Sequence, residues 1–551
     1  LIALLVVAVT ALLQFWRPYF HLTDDNLSGY LPAATEFNQR LWSGRWPFIS
    51  EGVFGGNHNQ LADPSVFGLL SPWMVLFSWI SLTPFAHLLV DIVSLCNSLV
   101  IALAFGWSAL WLRDHFRLTA PDWLIIALSV SYVFTPYNLR IGSSWIGFLN
   151  GQASMPLMLV GMLMTRSRHA VLLQSAALLY ALFGGHAHTF VMTCLFSGVL
   201  AVGVSVGTRS LRPMVRTLLA GILAGVVMLP VLAQSMTGFS GSARDVGVPM
   251  EDARARRLDP PILAGTMVTG PLATIVAHAV GAYSEGMATT FSVSYSPANL
   301  LFLLVLIRAA KQRQRIPNVA WALLCCFGAA ALMVSRPEWL AALTSRLPVL
   351  RSLQWPFREI WVLQFALHGF LLFASALVSV QSLRVLLVAG ALITGITLGS
   401  PPPTFNAFDI DRQVLLSGRA ERYWQTLRAA AGGPPHIVVG IEPHLIPDYE
   451  KHIPYSLLGA YNYGSLYGFV SQSGYTFNTD LRRWKRPGSV RPFYSAGAYR
   501  PTEARWLASQ DSTLWLIELT RVKPAEWDVH TSAGVRRYRL DEPSGQIVER
   551  K

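Results

Sequence analysis

The sequence predicts a mostly α-helical, polytopic membrane protein that ends in an extracytoplasmic α+β domain. Three observations lead there. Of 551 residues, 52% are hydrophobic and only 13% charged, about half the charged share of a soluble domain. The apolar residues form long runs parted by short polar stretches. Beyond Gly399-Ser400-Pro401-Pro402-Pro403 the pattern changes to short, β-branched stretches typical of strands. The formal net charge of +13 would suggest nucleic acid in a soluble chain. Here many basic residues cluster between apolar runs, as charges that orient membrane helices do, so nucleic acid is rejected as a partner.

Taken in order, Leu1 to Trp16 reads as a retained first helix, since no small-residue cleavage site follows and Phe15-Trp16-Arg17-Pro18-Tyr19 resembles an interfacial belt. Further runs occur near 84–112, 122–139, 152–165, 170–183, 188–207, 214–234, 297–310, 317–335, 359–381 and 383–399. Together they predict about eleven crossings. The run 66–82 is divided by Pro72 and stops before Pro84; it is assigned to the interface. Arg113, Arg117, Arg166, Arg168, Arg209, Arg212, Arg216, Arg308, Lys311, Arg313 and Arg315 then fall on the side of the N-terminus, which the positive-charge rule makes cytoplasmic. Loops 17–83, 140–151, 184–187, 235–296 and 336–358 face outward with the tail. The expected organisation is a membrane unit over 1–399 and an α+β domain over 400–551, with strands near 436–441, 514–519 and 535–540 and a helix near 419–431. Cys96, Cys194, Cys325 and Cys326 lie in apolar runs and read as small core hydrophobes, not as a disulfide or metal framework.

The candidate chemistry lies in the outer loops. Asp24 and Asp25 follow the first helix closely. A carboxylate there is placed to deprotonate a hydroxyl acceptor at the membrane surface; capping of a following helix is the structural alternative. Tyr30, His58 and Asp63 are substrate-side candidates of the same loop, although an Asp-Pro pair such as Asp63-Pro64 also starts turns. His186 and His188 sit at a helix mouth, placed to meet a phosphate or shuttle a proton. Two residues apart, they do not share a helical face, so no metal site is expected from them. Arg351 and Arg358 break the charge rule on the outer side, and a guanidinium fork suits a phosphate leaving group. Arg140 is a further phosphate candidate. Asp91, inside an apolar run, calls for a partner such as Asn97 or another helix.

The ordered set Asp24-Asp25, Tyr30-Leu31-Pro32, Leu41-Trp42-Ser43-Gly44-Arg45-Trp46-Pro47 and Gly55-Gly56-Asn57-His58 resembles the first outer loop of the YfhO-type bacterial membrane proteins, a branch of the GT-C glycosyltransferases. Gly184-Gly185-His186-Ala187-His188, Arg351 to Arg358 around Pro356, and Leu466 to Tyr475 resemble later elements of that family. The resemblance spans nearly the whole chain. It implies a bacterial inner-membrane glycosyltransferase with an extracytoplasmic site. Its donor would be a polyprenyl-phosphate-linked sugar, its acceptor a glycan, lipid or protein. Asp24 or Asp25 would be the base, and arginine and histidine would sit at the departing phosphate. No cofactor is required on this view; Mg²⁺ or Mn²⁺ on Asp24, Asp25 and Asp63 is the metal-dependent alternative. The rival classes are a transporter or flippase of lipid-linked glycans and a non-catalytic assembly subunit.

Overall fold

A computed structural model describes residues 1–23, 25–53, 58–59, 68–184, 187–239, 297–312, 316–347, 350, 356–378, 406–431, 436–445, 454–459, 462–472, 498–522, 525–541 and 546–550. The chain opens with α1 (Ile2–Trp16), then a π-helical turn Asn26–Tyr30 and α2 (Leu31–Trp42). The helices that follow are α3 (Leu88–Phe116), α4 (Asp122–Val133), α5 (Pro136–Ser144), α6 (Asn150–Leu163), α7 (Ser167–Phe183), α8 (Ala187–Thr208), α9 (Arg212–Phe239), α10 (Pro297–Gln312), α11 (Asn318–Ser335) and α12 (Ile360–Phe373).

Among the described residues, five helical stretches are long and apolar enough to cross a membrane: Leu88–Phe116, Ile146–Leu163, His188–Thr208, Arg212–Thr237 and Asn318–Ser335. A sixth results if Asp122–Val133 and Tyr137–Ser144, bent by 42°, count as one broken span. The eleven expected crossings are therefore not reached there. α1, α7, α10 and α12 have 15, 17, 16 and 14 residues, short of the roughly 20 that a span needs. The run 383–399 lies outside the described residues.

Local chemistry explains where runs break. The 122–139 run stops at Val133 because Pro136 disfavours helical geometry in the residue before it; Thr135 takes φ −75° and ψ 150° and its side chain accepts from Asn138 N at the start of α5. The 140–151 segment, expected as an outer loop, is instead helix, 3-10 turn and helix, and it is largely buried. The described part of the 66–82 run, by contrast, holds only the five-residue helix Pro72–Leu76 and the 3-10 turn Ser78–Leu82. Neither is long enough to cross.

All fourteen residues of α12 are buried, as expected for a helix that is apolar all round and surrounded by other helices. It packs on α11 and touches α3, α4, α6 and α10. α9 is the opposite case. Leu218, Ile222, Val226 and Leu229 lie on one of its faces and are each more than half exposed; so apolar an outer face belongs in hydrocarbon. Two cysteines follow the same logic against expectation: Cys194 and Cys325 are exposed on helix surfaces, and only Cys326 is fully buried. Arg216, expected as a loop charge, is buried and donates to Met164 O, Thr165 O (3.0 Å) and Ser167 Oγ (3.0 Å), closing the α6–α7 turn. Asp91 finds its partner in α1 and the first loop: Gln14 Nε2 donates to it at 2.6 Å, and His21 meets it through its backbone N–H (3.2 Å) and Nδ1 (3.0 Å). Asn97 accepts instead from the Tyr180 hydroxyl, at 3.2 Å.

The described part of the tail contains α13 (Asn406–Leu416), α14 (Arg419–Ala431), β1 (His436–Ile441), β2 (Val470–Ser471), α15 (Pro501–Gln510), β3 (Leu514–Arg521), β4 (Glu526–Thr531), β5 (Gly534–Asp541) and β6 (Gln546–Arg550). The strands form one sheet in the order β2-β1-β3-β4-β5-β6. β1 runs parallel to β2 and β3, and the remaining pairs are antiparallel. α15 packs on β1 and β3, the covering that a parallel pair requires.

The tail sits on the first loop. Glu36 of α2 accepts from Ser50 Oγ and Ser465 Oγ, each at 2.6 Å, and from Glu51 N. Asn462 N donates to Ser28 O at 3.3 Å and Ser471 N to Gly52 O at 3.1 Å. A Cβ on Gly464 would lie 2.3 Å from Gly52 O, so this approach needs glycine. Glu36→Ala should remove these charge-assisted bonds and weaken the tail's seat by about 2–4 kcal/mol. Faster hydrogen exchange at 464–471, with the membrane helices unchanged, is the expected readout.

Candidate active site

The first loop reaches the interior because its polar side chains are bonded to the turn between α5 and α6. Asn26 donates to His21 O (2.9 Å) and Gly142 O (2.8 Å) and accepts from Ile146 N (3.0 Å). Thr23 Oγ1 donates to Ser143 O at 2.7 Å. Asp25 occupies the position before the π-helical turn but makes no capping bond there. Its carboxylate accepts from the indole N–H of Trp145 instead.

Trp145 links that carboxylate to a cation. The Arg358 guanidinium carbon lies 4.5 Å from the Trp145 ring centre and 4.3 Å from that of Phe148. Phe357 stacks on Trp145 at 6.3 Å, and the Tyr137 hydroxyl donates to the Arg358 carbonyl at 2.8 Å. Arg358 is only 1% exposed. A delocalised, weakly hydrated guanidinium tolerates such a place better than an ammonium would, because aromatic faces replace part of its hydration. Beside it, Glu359 is equally buried and meets His188 Nε2 at 2.6 Å. Phe148 packs against the same histidine at 5.7 Å. Carboxylate, guanidinium, imidazole and second carboxylate thus form one contiguous cluster around Trp145 and Phe148.

A group of neutral polar atoms borders this cluster. The Tyr30 hydroxyl, both amide atoms of Asn150, Thr189 Oγ1 and Trp361 Nε1 are buried without hydrogen-bond partners. Each such atom left unpaired costs about 1–3 kcal/mol, so the group is a place where bonding capacity is held in reserve. Burial pushes the Tyr30 phenol far above its usual range, which keeps it a neutral donor and acceptor at any physiological pH.

Of the residues predicted from sequence, the structure brings together Asp25, His188 and Arg358, with Tyr30 at the margin. Arg140 lies on α5, five residues before Trp145, and its carbonyl accepts from Ser143 Oγ at 2.9 Å. For His58 the structure describes only the backbone, in a two-residue strand paired with Ile49–Ser50. Asp24, Asp63, His186 and Arg351 lie outside the described residues. Among the described residues, no three His, Cys, Asp or Glu side chains gather closely enough to share a metal ion. Sequence reasoning missed Glu359, Trp145, Phe148, Tyr137 and Asn150. For Glu359 a signal existed: a second charge directly after Arg358, at the mouth of an apolar run.

No known protein family matches the chain, and no curated protein matches it. Among solved structures it is similar to ArnT from Cupriavidus metallidurans bound to undecaprenyl phosphate, with 12% identity, 94% of this chain and 93% of that chain covered, and a TM-score of 0.42. The apo state of the same protein gives 14% identity, 94% and 92% coverage and a TM-score of 0.36. Likeness at these scores fixes no residue and no reaction.

Tyr137→Phe deletes only the hydroxyl that pins the Arg358 carbonyl. It should lower unfolding stability by about 1 kcal/mol, seen as a small drop in the thermal midpoint of the detergent-solubilised protein.

Proposed function

We propose that the protein is a membrane glycosyltransferase of the GT-C type that moves a sugar from a polyprenyl-phosphate donor to a hydroxyl acceptor on the extracytoplasmic face. The observation that carries this is the shared use of Trp145: its indole N–H holds the Asp25 carboxylate while its ring face holds the Arg358 guanidinium. A base and an anion receptor are thereby fixed on one rigid side chain, an arrangement suited to displacement at an anomeric carbon.

In the proposed step Asp25 takes the proton of the acceptor hydroxyl. The acceptor oxygen bonds to the anomeric carbon as the bond from that carbon to the phosphate oxygen breaks, and the electron pair leaves with the lipid phosphate. Arg358 meets the charge that develops on the leaving group, and preorganised donors act strongly there because little water competes. His188, bonded to Glu359, stands next to Arg358 as the second group able to donate toward the phosphate. Asp24 neighbours the base and is the alternative for that role. Arg140, Arg351 and His186 are further phosphate-side candidates, and His58 and Asp63 substrate-side ones. The guanidinium supplies the positive charge that a metal would otherwise supply, so we expect transfer to continue within about twofold after EDTA treatment.

The test is transfer of labelled sugar from polyprenyl-phosphate sugars by the purified full chain. Asp25→Asn should lower kcat by about 10²–10⁴, the range of general-base catalysis, with donor binding retained. Loss with Asp24→Asn alone would move the base to that residue. Arg358→Lys should lose tenfold or more despite keeping its charge, because an ammonium lacks the planar fork. Wild-type protein that moves the lipid across vesicles without transferring sugar would replace this proposal with a flippase.

A further inference from the structure

Asn150, the first residue of α6, is fully buried and neither atom of its amide has a partner. Three glycines join it to the other unpartnered groups. A Cβ on Gly184 would lie 2.3 Å from Asn150 Nδ2. One on Gly68 would lie 3.3 Å from Gly184 O and 3.7 Å from the Tyr30 ring. On the other side, a Cβ on Gly151 would lie 2.4 Å from the Thr189 methyl and 3.2 Å from the Trp361 ring. Tyr30, Asn150, Thr189 and Trp361 therefore lie along one seam, where residues without side chains let these neighbours approach closely.

Its chemistry is specific. The seam offers a phenol hydroxyl, a carboxamide, an alcohol and an indole N–H, which give donors and acceptors in plenty but no charge. Two of the four carry aromatic faces. Other unpartnered hydroxyls in the spans, such as Ser94 and Ser108, are isolated serines whose rotor can turn to a carbonyl of their own helix. The Asn150 amide has no such resort, and a chain selected for stability alone would be better served by leucine. Thr189 follows His188, and Trp361 lies two residues after Glu359. The neutral seam thus adjoins the charged cluster.

We infer that Tyr30, Asn150, Thr189 and Trp361 form the seat for the hydroxyl groups of the donor's sugar, while Arg358 and His188 take the phosphate. Naming the ligand a sugar rests on the transferase proposal; the existence of a hydroxyl-reading seat does not. Such a seat discriminates strongly, because a ligand without the hydroxyls leaves the buried groups unpaired.

The experiment is equilibrium binding to the full-length protein in nanodiscs, with undecaprenyl-phosphate glucose and undecaprenyl-phosphate mannose compared against undecaprenyl phosphate. Wild type should bind at least one sugar-bearing lipid tenfold or more tightly than the bare lipid. Asn150→Leu and Thr189→Val should each erase most of that preference and leave the affinity for undecaprenyl phosphate within twofold. Asn150→Leu should also melt no lower than wild type. Should it fail to fold, Thr189→Val and Trp361→Phe decide the matter in its place. Equal wild-type affinity for all three lipids, or a preference untouched in the variants, overturns the inference. The two proposals fail separately: discrimination that depends on Asn150 without any transfer keeps the seat and removes the transferase, whereas transfer with an unaltered preference in Asn150→Leu removes the seat alone.

Discussion

The bonding of the Asn26 carboxamide is the constraint on which the site depends. In a water-poor interior a buried amide must find its partners within the protein. Asn26 finds them in three backbone groups, from His21, Gly142 and Ile146. Those bonds tie the loop after α1 to the α5–α6 turn and bring Asp25 beneath Trp145. Because Trp145 also carries Arg358 on its face, the same bonds set the separation between carboxylate and guanidinium. The His21 ring and backbone, held on Asp91, fix the near end of the loop against α3. The loop is therefore part of the packed interior, and it positions side chains with the precision of a helix.

Placing Arg358 and Glu359 at the head of a fully buried helix opposes the usual sorting of charge to the surface. Desolvating two ions is unfavourable unless each receives partners. The observed solution is chemically uneven. Arg358 receives aromatic faces, which replace hydration with a weak and broad attraction, while Glu359 receives the directional 2.6 Å contact with His188. The ring faces also fix the plane of the guanidinium, since a cation over an aromatic face is held by the geometry of the ring.

How much of this was legible in the sequence follows from the range of each interaction. Local patterns carried over well: His436–Ile441 and Leu514–Arg521 are strands and Arg419–Ala431 is a helix, because alternation and turn residues act over a few positions. That the described part of 66–82 holds no helix long enough to cross was legible from Pro72 and Pro84. The segment 140–151 reads as a loop in the sequence since Ser143, Ser144 and Asn150 look solvent-bound one at a time, although the fold buries Ser144 and Asn150 completely. Arg358 and His188 stood out as polar groups at the edges of apolar runs. Their true neighbours did not: Glu359 is 171 residues from His188, and Asp25 is 120 from Trp145. Pairings of that separation leave no periodic trace.

The tail completes the same chain of dependence. Ser28, two residues beyond Asn26, accepts from Asn462 in the tail, and Glu36, on α2, accepts from Ser465. The π-helical turn that bears Tyr30 is thus held from below by the α5–α6 turn and from above by the tail. A loop bonded on one side only would open by breaking one set of contacts; bonded on both, it opens only when the two sets break together. That double seat explains why a π-helical turn, a geometry seldom stable by itself, persists next to the site. It also makes the tail a determinant of where Tyr30 points, so the tail shapes the neutral seam.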